Sequence, residues 1–289
     1  MGNAQSALPA THGPAQPPKT LSQYSPRASI LPPMRFLPAL ALLSLTTTGV
    51  FAADQPVSTI PWNRPEKWEG AGPLGNIPAD YQLLYQQDFA KADALKDFVF
   101  TDESAWKWAE GDGKTAMELT KQSAYVPTVR SPFNIALLGG KQFGDFIVEA
   151  QCLQTGKEYG HRDMVFIFGF QGPSKFYYVH IATAQDDHAN QIFIVNDQPR
   201  VKISKTANTG NKWGLGQWHK VRLERKASDG TVKVFFDDMS APIMTADDKT
   251  FGPGWIGFGS FDDTGKVANI RVWGKDAVEK AAPAFPKTK

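Results

Sequence analysis

Short apolar runs, separated by Gly, Pro and Asp turn signals, recur along the chain from residue 81 to residue 274. They are rich in Phe, Tyr, Val and Ile, the residues that favour β-strands. One segment, 143–154, alternates apolar and polar positions, so Phe146, Val148, Ala150 and Cys152 share one strand face. The densest group of runs lies in 161–204 and predicts strands at 164–170, 175–183 and 191–195.

Turn signals predict β-hairpins at Gly111-Asp112-Gly113 and at Ser228-Asp229-Gly230. Residues 90–100 favour a short helical or turn segment that leads into a strand, and no stretch from residue 81 onward has a sustained helical period. Many short strands at roughly ten-residue spacing predict an all-β sandwich of two antiparallel sheets.

The first eighty residues have a different character. Residues 1–33 lack a hydrophobic period, so we expect a disordered segment or an extension upstream of a true start at Met34. Residues 34–53 read as a secretory signal peptide, because a basic start precedes an apolar run shorter than the ~20 residues of a membrane span. We therefore expect a secreted or periplasmic protein with a Pro-rich arm at 54–80, a β-sandwich at 81–274 and a tail at 275–289.

Charge and cysteine content exclude some partners and bonds. The leader contains three of the 31 basic residues and no acid, which leaves 28 basic against 29 acidic residues in the mature part. A near-neutral chain without a basic run argues against nucleic-acid binding. The single cysteine, Cys152, excludes an intrachain disulfide and reads as a buried small hydrophobe. We expect a monomer with no transmembrane segment in the mature chain.

The order of the strands resembles that of a known superfamily. FGDFIVEAQ, the FIFGFQ–FYYVHI pair, WHKVRLERK, VKVFFDD, GWIGFGSFDD and VANIRVW together are similar to the concanavalin A-like lectin/glucanase jelly rolls. Within that superfamily the chain most resembles the secreted 3-keto-disaccharide hydrolase domain group, over roughly residues 81–274. The resemblance implies a concanavalin A-like β-sandwich and an oligo- or polysaccharide partner. It does not imply one activity, because the superfamily includes lectins, hydrolases, lyases and catalytically silent modules.

Several positions depart from the hydrolase group's pattern. Phe168-Gly169 stands where the group has an arginine, His180 where it has a glutamine, and Phe258-Gly259 where it has Leu-Gln. The group's catalytic residues therefore do not carry over. The Glu-x-Asp-x-x-Glu motif of laminarinase-type hydrolases, which supplies two carboxylates about 5–5.5 Å apart, is also missing from the sequence.

The resemblance also raises a structural calcium ion. Ala268 stands where the superfamily places an acidic ligand, but Asp88, Asp262 and Asp263 could supply oxygen ligands. Turn-forming aspartates explain these residues more simply, so we expect no cofactor and keep calcium as an open alternative. Asp186, Asp187 and His188 could form a zinc site with His180, but their spacing matches no compact metal motif, and we expect no metal there.

The 161–204 stretch holds three of the five histidines and is the predicted site. Alternation places Phe176, Tyr178 and His180 on one face of a strand, which we expect to be the concave ligand face. Tyr177, Val179 and Ile181 then point into the core. A phenol and an imidazole on one face suit sugar stacking, hydrogen bonding or acid–base chemistry, although partly buried sheet residues explain them too.

Two flanking segments complete the prediction. In the segment 186–188, Asp187 can orient the neighbouring His188 imidazole. In the segment 161–163, Arg162 precedes a strand and can bind a ligand carboxylate or hydroxyl pair by two hydrogen bonds. An exposed Arg–Asp pair and a solvated turn are the alternatives. His219 reads as an ordinary strand residue. The predicted catalytic residues are His180, Tyr178, Asp187 and His188, and the predicted substrate-binding residues are His161, Arg162, Asp163, Phe176 and Asn190.

Three functions remain open from the sequence. The first is a secreted jelly roll that binds and hydrolyses a glycoside or polysaccharide. The second is a non-catalytic glycan-binding or envelope interaction module. The third is a polysaccharide lyase, in which Tyr178 or His180 removes a proton beside a uronate neutralised by Arg162.

Overall fold

The computed structural model describes residues 77–286. The predicted segments 1–33 and 34–53 lie outside the described residues, as do all but the last four residues of the arm 54–80 and the last three of the tail. The described residues contain eighteen strands: β1 (Gln82–Gln87), β2 (Phe98–Phe100), β3 (Trp106–Gly111), β4 (Lys114–Leu119), β5 (Asn134–Leu138), β6 (Lys141–Phe143), β7 (Phe146–Gln154), β8 (Asp163–Gly172), β9 (Lys175–Ala182), β10 (Gln191–Asn196), β11 (Val201–Lys202), β12 (Ser204–Ala207), β13 (Trp218–Arg225), β14 (Thr231–Phe236), β15 (Met244–Asp247), β16 (Trp255–Ser260), β17 (Gly265–Gly274) and β18 (Ala277–Glu279).

The strands form two large antiparallel sheets. In the nine-stranded sheet the order is β12-β15-β14-β13-β7-β17-β4-β3, and β1 also pairs with β17. In the seven-stranded sheet the order is β11-β10-β9-β8-β16-β5-β2. The predicted all-β sandwich of two antiparallel sheets is therefore confirmed. Two 3-10 helices, Ala92–Asp97 and Glu103–Ala105, are the helices of the described residues, and neither is long and apolar enough to cross a membrane.

The main core lies between the two sheets and follows the alternation seen in the sequence. Phe146, Val148, Ala150 and Cys152 of β7 all enter it, as do Tyr177, Val179 and Ile181 of β9. Burial raises the pKa of the Cys152 thiol, which keeps it protonated and unreactive. The face assignments of both strands are therefore correct.

The geometry of the β3–β4 hairpin explains why its turn could be predicted from the sequence. Asp112 and Gly113 both have positive φ, +54° and +79°, between the paired residues Gly111 and Lys114. A two-residue turn of this kind matches the twist of the flanking strands and favours Asp-Gly. The Asp112 carbonyl then accepts a hydrogen bond from the Trp218 indole at 2.8 Å.

The outer face of the seven-stranded sheet differs from the expectation of an open concave surface. Phe176, Tyr178 and His180 do share that face, but all three are buried. A second apolar cluster covers them, and its members come from loops and from the C-terminal segment as well as from strands. The covering residues include Tyr125, Phe133, Phe261 and Phe285.

The segment that we expected to be a tail belongs to the sandwich as far as residue 286. Strand β18 pairs with β6, and the Trp255 indole donates to the Lys280 carbonyl at 3.0 Å. Phe285 then packs edge-on against Tyr125 and Phe170, with ring centroids 5.6 and 5.7 Å apart. The lysines and alanines of this C-terminal segment show no strand pattern in the sequence. The segment is ordered by contacts with residues far away in the chain, which a local pattern does not reveal.

His219 is more than an ordinary strand residue. Its ring stacks on Phe236, its Nδ1 lies 2.7 Å from an Asp237 oxygen, and its Nε2 lies 2.7 Å from the Trp213 carbonyl. Burial alone would lower the pKa of His219, and nearby Arg162 acts in the same direction, but the two acceptors outweigh both and raise it. The imidazolium form is therefore stabilised in the folded protein.

A pH-dependent stability follows for His219. The folded pKa lies above the unfolded value of 6.5, so the contribution is complete below pH 6.5 and is lost as the pH rises through the folded pKa. His219→Gln is expected to cost about 1.5–3 kcal/mol at pH 6 and less at pH 9. Urea denaturation of both proteins at the two pH values measures this, and an equal loss at both would contradict a charged His219.

Candidate functional site

A cavity of about 220 Å³ opens at one end of the seven-stranded sheet, and we call it the rim pocket. The loop before β8, the loop between β9 and β10, the segment before β5 and the end of β16 meet there. It is smaller than the ~300–1,000 Å³ pockets that hold drug-sized ligands, so it suits one small ring or a comparable group. Its lining residues are Arg130, Phe133, Tyr159, His161, His180, His188, Arg200, Phe261 and Asp262.

His180 forms the inner wall of the rim pocket and is held in one tautomer. The Asn190 backbone N–H points at Nδ1 from 3.3 Å, so Nδ1 acts as an acceptor and the ring hydrogen lies on Nε2. Nε2 is 3.4 Å from an Asp163 oxygen. Burial, reinforced by the positive charge of Arg200, lowers the pKa of His180 to about 3. The neutral imidazole that the Asn190 contact requires is therefore the stable form, rather than half of an ion pair.

Asp163 is a buried carboxyl behind the pocket. One oxygen accepts from the Ser260 hydroxyl at 2.7 Å, and the Asp163 backbone N–H donates to Asp263 at 3.0 Å. Tyr159 also donates to Asp263, at 2.9 Å. Burial is the main cause that raises the pKa of both carboxyls, and their mutual proximity raises that of Asp163 further. Folding therefore favours protonation of this carboxyl pair relative to exposed aspartates.

These acids bear on the calcium alternative. Asp163, Asp262 and Asp263 each offer an oxygen within 4.8 Å of the others, whereas Asp88 lies elsewhere, beside the β3–β4 turn. Calcium takes six to eight oxygen ligands. Protein donors already occupy oxygens of Asp163 and Asp263, so the group fits a hydrogen-bonded carboxyl pair better than a calcium site.

Arg200 also lines the pocket. Its guanidinium carbon lies 4.8 Å from the Phe193 ring centre and 4.5 Å from that of Phe261, so two aromatic faces hold it. Its nitrogens donate to the Tyr178 hydroxyl and to the His188 carbonyl, both at 3.0 Å. Arg200 is thereby fixed in place before any ligand arrives.

A histidine–aspartate pair stands at the mouth. His161 Nε2 lies 2.6 Å from an Asp186 oxygen, and both side chains are about half exposed. The other Asp186 oxygen accepts backbone N–H bonds from His188 at 2.6 Å and Ala189 at 2.8 Å. Burial opposes ionisation of Asp186, but these bonds and His161 outweigh it and lower the pKa of that carboxyl. An ionised carboxylate thus orients the His161 ring and leaves its Nδ1 for another partner.

The pocket brings together three of the predicted residues and has a fourth behind it. His161, His180 and His188 line it, and Asp163 supports His180 from behind. Tyr178 does not line it: the side chain is fully buried, burial raises its pKa, and its hydroxyl accepts the Arg200 bond.

The structure places the other predicted residues in structural roles. Arg162 is fully buried and donates to the carbonyls of Gln154 and Gly214, so it does not reach a ligand at the rim as expected. Asp187 is 80% exposed and pairs with Lys202 outside the pocket.

Phe176 and Asn190 also act within the fold. Phe176 is buried and stacks on Phe170, with the ring centroids 5.4 Å apart. Asn190 has a positive φ of +53°, and its buried amide bonds to Asn208 and Asn211. Asn190 therefore fixes the β9–β10 loop that carries Asp186 and His188, and touches the site only through His180.

Sequence reasoning missed most of the pocket wall. Arg200 follows a Pro in a turn, and Phe261 follows β16 directly, and neither position has a local signal for ligand binding. The Phe261-Asp262-Asp263 run was the one usable hint, because an aromatic residue followed by two acids ends a strand there. The missed residues are Arg130, Phe133, Tyr159, Arg200, Phe261 and, as a pocket residue, Asp262.

Comparisons with known proteins find similarity in fold only. No protein-family model matches the chain, and no curated protein matches it by sequence. Among solved structures, the carbohydrate-binding module CBM66 from Bacillus subtilis is 15% identical, with a TM-score of 0.42, over 60% of this chain and 93% of that one. Domain 4 of the GH43 extracellular arabinanase AbnA from Geobacillus stearothermophilus, in complex with arabinotriose, is 11% identical, with a TM-score of 0.40, over 70% and 95%.

A plant lectin is similar to the same degree. The winged bean acidic lectin, complexed with methyl-α-D-galactose, is 12% identical, with a TM-score of 0.42, over 67% of this chain and 98% of that one. The fold assignment rests on the paired strands of this chain itself. The two antiparallel sheets and the shared core identify the chain as an all-β sandwich, the fold class that its sequence predicts.

Proposed function

We propose that this protein binds a saccharide and that the rim pocket is the binding site. One observation carries the proposal: three imidazoles, two guanidiniums and two phenylalanine rings line a single small cavity. The expected partner, an oligo- or polysaccharide, and the expected secreted or periplasmic location belong to the same proposal.

The chemistry of the lining suits a sugar ring. A pyranose presents an apolar face of C–H groups and an edge of hydroxyls, so it needs an aromatic surface beside fixed hydrogen-bonding groups. Phe133 and Phe261 meet edge to face with centroids 6.0 Å apart and supply the aromatic surface. His161, His188 and the arginines supply donors and acceptors around it. A pocket of this size takes one sugar unit, with the rest of a chain outside the rim.

Hydrolysis is the second candidate, and a different set of residues from the predicted one supports it. With a pKa of about 3, His180 is too weak a base for efficient proton transfer near neutral pH, and Tyr178 is buried away from the cavity. The His161–Asp186 pair has the arrangement that a general base needs, an imidazole oriented by an ionised carboxylate and open to the pocket. The same burial of Tyr178, together with that of Arg162, weighs against the lyase alternative.

One experiment distinguishes saccharide binding from saccharide hydrolysis. The full chain is screened on a glycan array, and each bound glycan is incubated with the protein and analysed for cleavage. We expect binding to at least one saccharide class. If hydrolysis occurs, Asp186→Asn is expected to lower the turnover rate by about 10²–10⁴-fold, because the general base loses its orienting carboxylate.

Asp187→Asn is the matched control, since it makes the same change one residue away on a side chain that pairs with Lys202. Turnover by Asp187→Asn is expected to equal that of the unmodified protein. Binding without cleavage would leave a binding module, and an array with no bound glycan would overturn the proposal.

A further inference from the structure

Two arginines line the rim pocket without a carboxylate partner. In the part of the chain that the structure describes, neither Arg130 nor Arg200 forms an ion pair, whereas Glu149 on the other sheet has two cations, Arg222 at 2.5 Å and Lys220 at 3.1 Å. The backbone holds the two arginines together, because the Arg200 N–H donates to the Arg130 carbonyl at 3.2 Å.

The lining of the pocket holds two guanidiniums and one carboxylate. His180 is neutral, and His161 faces Asp186, while Asp187 is paired with Lys202 outside the cavity. The shared carboxyl pair, Asp163 and Asp263, lies behind the wall. Asp262 is the one carboxylate among the lining residues, so it balances one of the two guanidiniums.

The surroundings of the Arg200 guanidinium favour the binding of an anion over that of a hydroxyl group. The rings of Phe193 and Phe261 pack against the guanidinium and displace part of its hydration, which strengthens its attraction for a negative charge. Its existing bonds to Tyr178 and His188 use two of five N–H groups and leave others for a ligand. Arginine recognises a carboxylate by two parallel hydrogen bonds, and a pre-ordered side chain forms them at little entropic cost.

We propose that the sugar unit in the rim pocket carries a carboxylate, as in a uronic acid, and that Arg130 and Arg200 bind it together. This inference rests on the proposed saccharide binding and gives its substrate class. The aromatic surface of Phe133 and Phe261 receives the ring, and the guanidiniums receive the acid group.

The test uses the full chain, uronate oligosaccharides and the same oligosaccharides with their carboxylates reduced to alcohols. Isothermal titration is expected to give at least tenfold tighter binding of the uronates, with the difference shrinking as salt is raised. Arg130→Gln is expected to weaken uronate binding about 10–100-fold, as for loss of a charge-assisted hydrogen bond, with little effect on the reduced forms. Arg130 is exposed, so this variant is expected to fold.

Lys233→Gln, an equal charge change on an exposed β14 residue of the other sheet, is the control and is expected to bind normally. Equal binding of acidic and reduced forms, or tighter binding of a sulfated neutral oligosaccharide, would overturn this inference and leave saccharide binding intact. Binding of no saccharide in any form would remove the proposed function and this inference together.

Discussion

Phe261→Ala is expected to destabilise the protein by about 3–5 kcal/mol and to lower saccharide affinity by at least tenfold. Phe261 is a large buried side chain, and removing its ring leaves a cavity that the sheet cannot fill. The same ring lies 4.5 Å from the Arg200 guanidinium and 5.5 Å from the His180 ring. Its loss therefore removes a packing contact of Arg200 and one of His180, both of which line the rim pocket. Urea denaturation measures the stability, and titration at 10 °C, where the variant remains folded, measures the affinity.

A second phenylalanine separates the two effects. Phe168 is fully buried in the core between the sheets and stacks on Tyr177, away from the rim pocket. Phe168→Ala is expected to lose similar stability and to bind saccharide normally once folded. If both variants lose affinity equally, binding depends on general stability and the pocket assignment is wrong.

Asp163→Asn is expected to keep most of the stability at pH 7 and to become much more acid-sensitive than the unmodified protein. Burial raises the pKa of Asp163 well above its usual value, so folding favours the neutral form of this carboxyl, which an asparagine imitates. Asparagine has the same shape, whereas Asp163→Ala leaves the His180 Nε2–H and the Ser260 hydroxyl without the acceptor that Asp163 provides and is expected to cost about 3 kcal/mol or more.

The acid sensitivity comes from His180. Its folded pKa of about 3 is below the unfolded 6.5, so the unfolded chain takes up a proton as the pH falls below 6.5 and stability drops by up to ~1.4 kcal/mol per pH unit. Asp163 acts in the opposite sense: its raised folded pKa makes stability rise as the pH falls toward 3.8. The two effects oppose each other in the unmodified protein, and Asp163→Asn removes that of Asp163, so the effect of His180 is opposed less.

Denaturation at pH 7, 6 and 5 measures these slopes, and His180→Gln gives the reciprocal control. That variant loses the His180 effect and keeps the Asp163 effect, so its stability is expected to rise as the pH falls, relative to the unmodified protein. An Asp163→Asn variant as damaged as Asp163→Ala, with an unchanged pH profile, would instead mean that Asp163 and His180 form a charged pair.

The strand pattern predicted the sandwich because the period of two is a local property of the chain. It placed Tyr177, Val179 and Ile181 in the core and Phe176, Tyr178 and His180 on the opposite face, and the structure agrees. Whether that face is open is not a local property. Tyr125 and Phe285 cover it from segments 53 residues before and 107 residues after Tyr178, and neither segment has a pattern that points to this sheet.

The site was predicted only in part, because the contacts between distant segments that complete it are not a local property of the sequence. Histidines can be seen in a sequence, and His161, His180 and His188 do meet in one cavity. Arg162 and Asp187 have equally polar side chains, but one is buried against backbone carbonyls and the other has a lysine partner, and only packing decides between these outcomes. Arg200 became visible as a site residue only through its two aromatic neighbours, one of which is 61 residues away.

The ring signals of the histidines report whether a saccharide occupies the rim pocket. In an NMR titration of the full chain with a saccharide that it binds, the ring resonances of His161 and His188 are expected to shift in proportion to occupancy, and His180 with them. His219, on the nine-stranded sheet with both nitrogens engaged, is expected to stay unchanged. Saturation of binding with no shift in the ring resonances of the three pocket histidines would mean that the saccharide binds elsewhere.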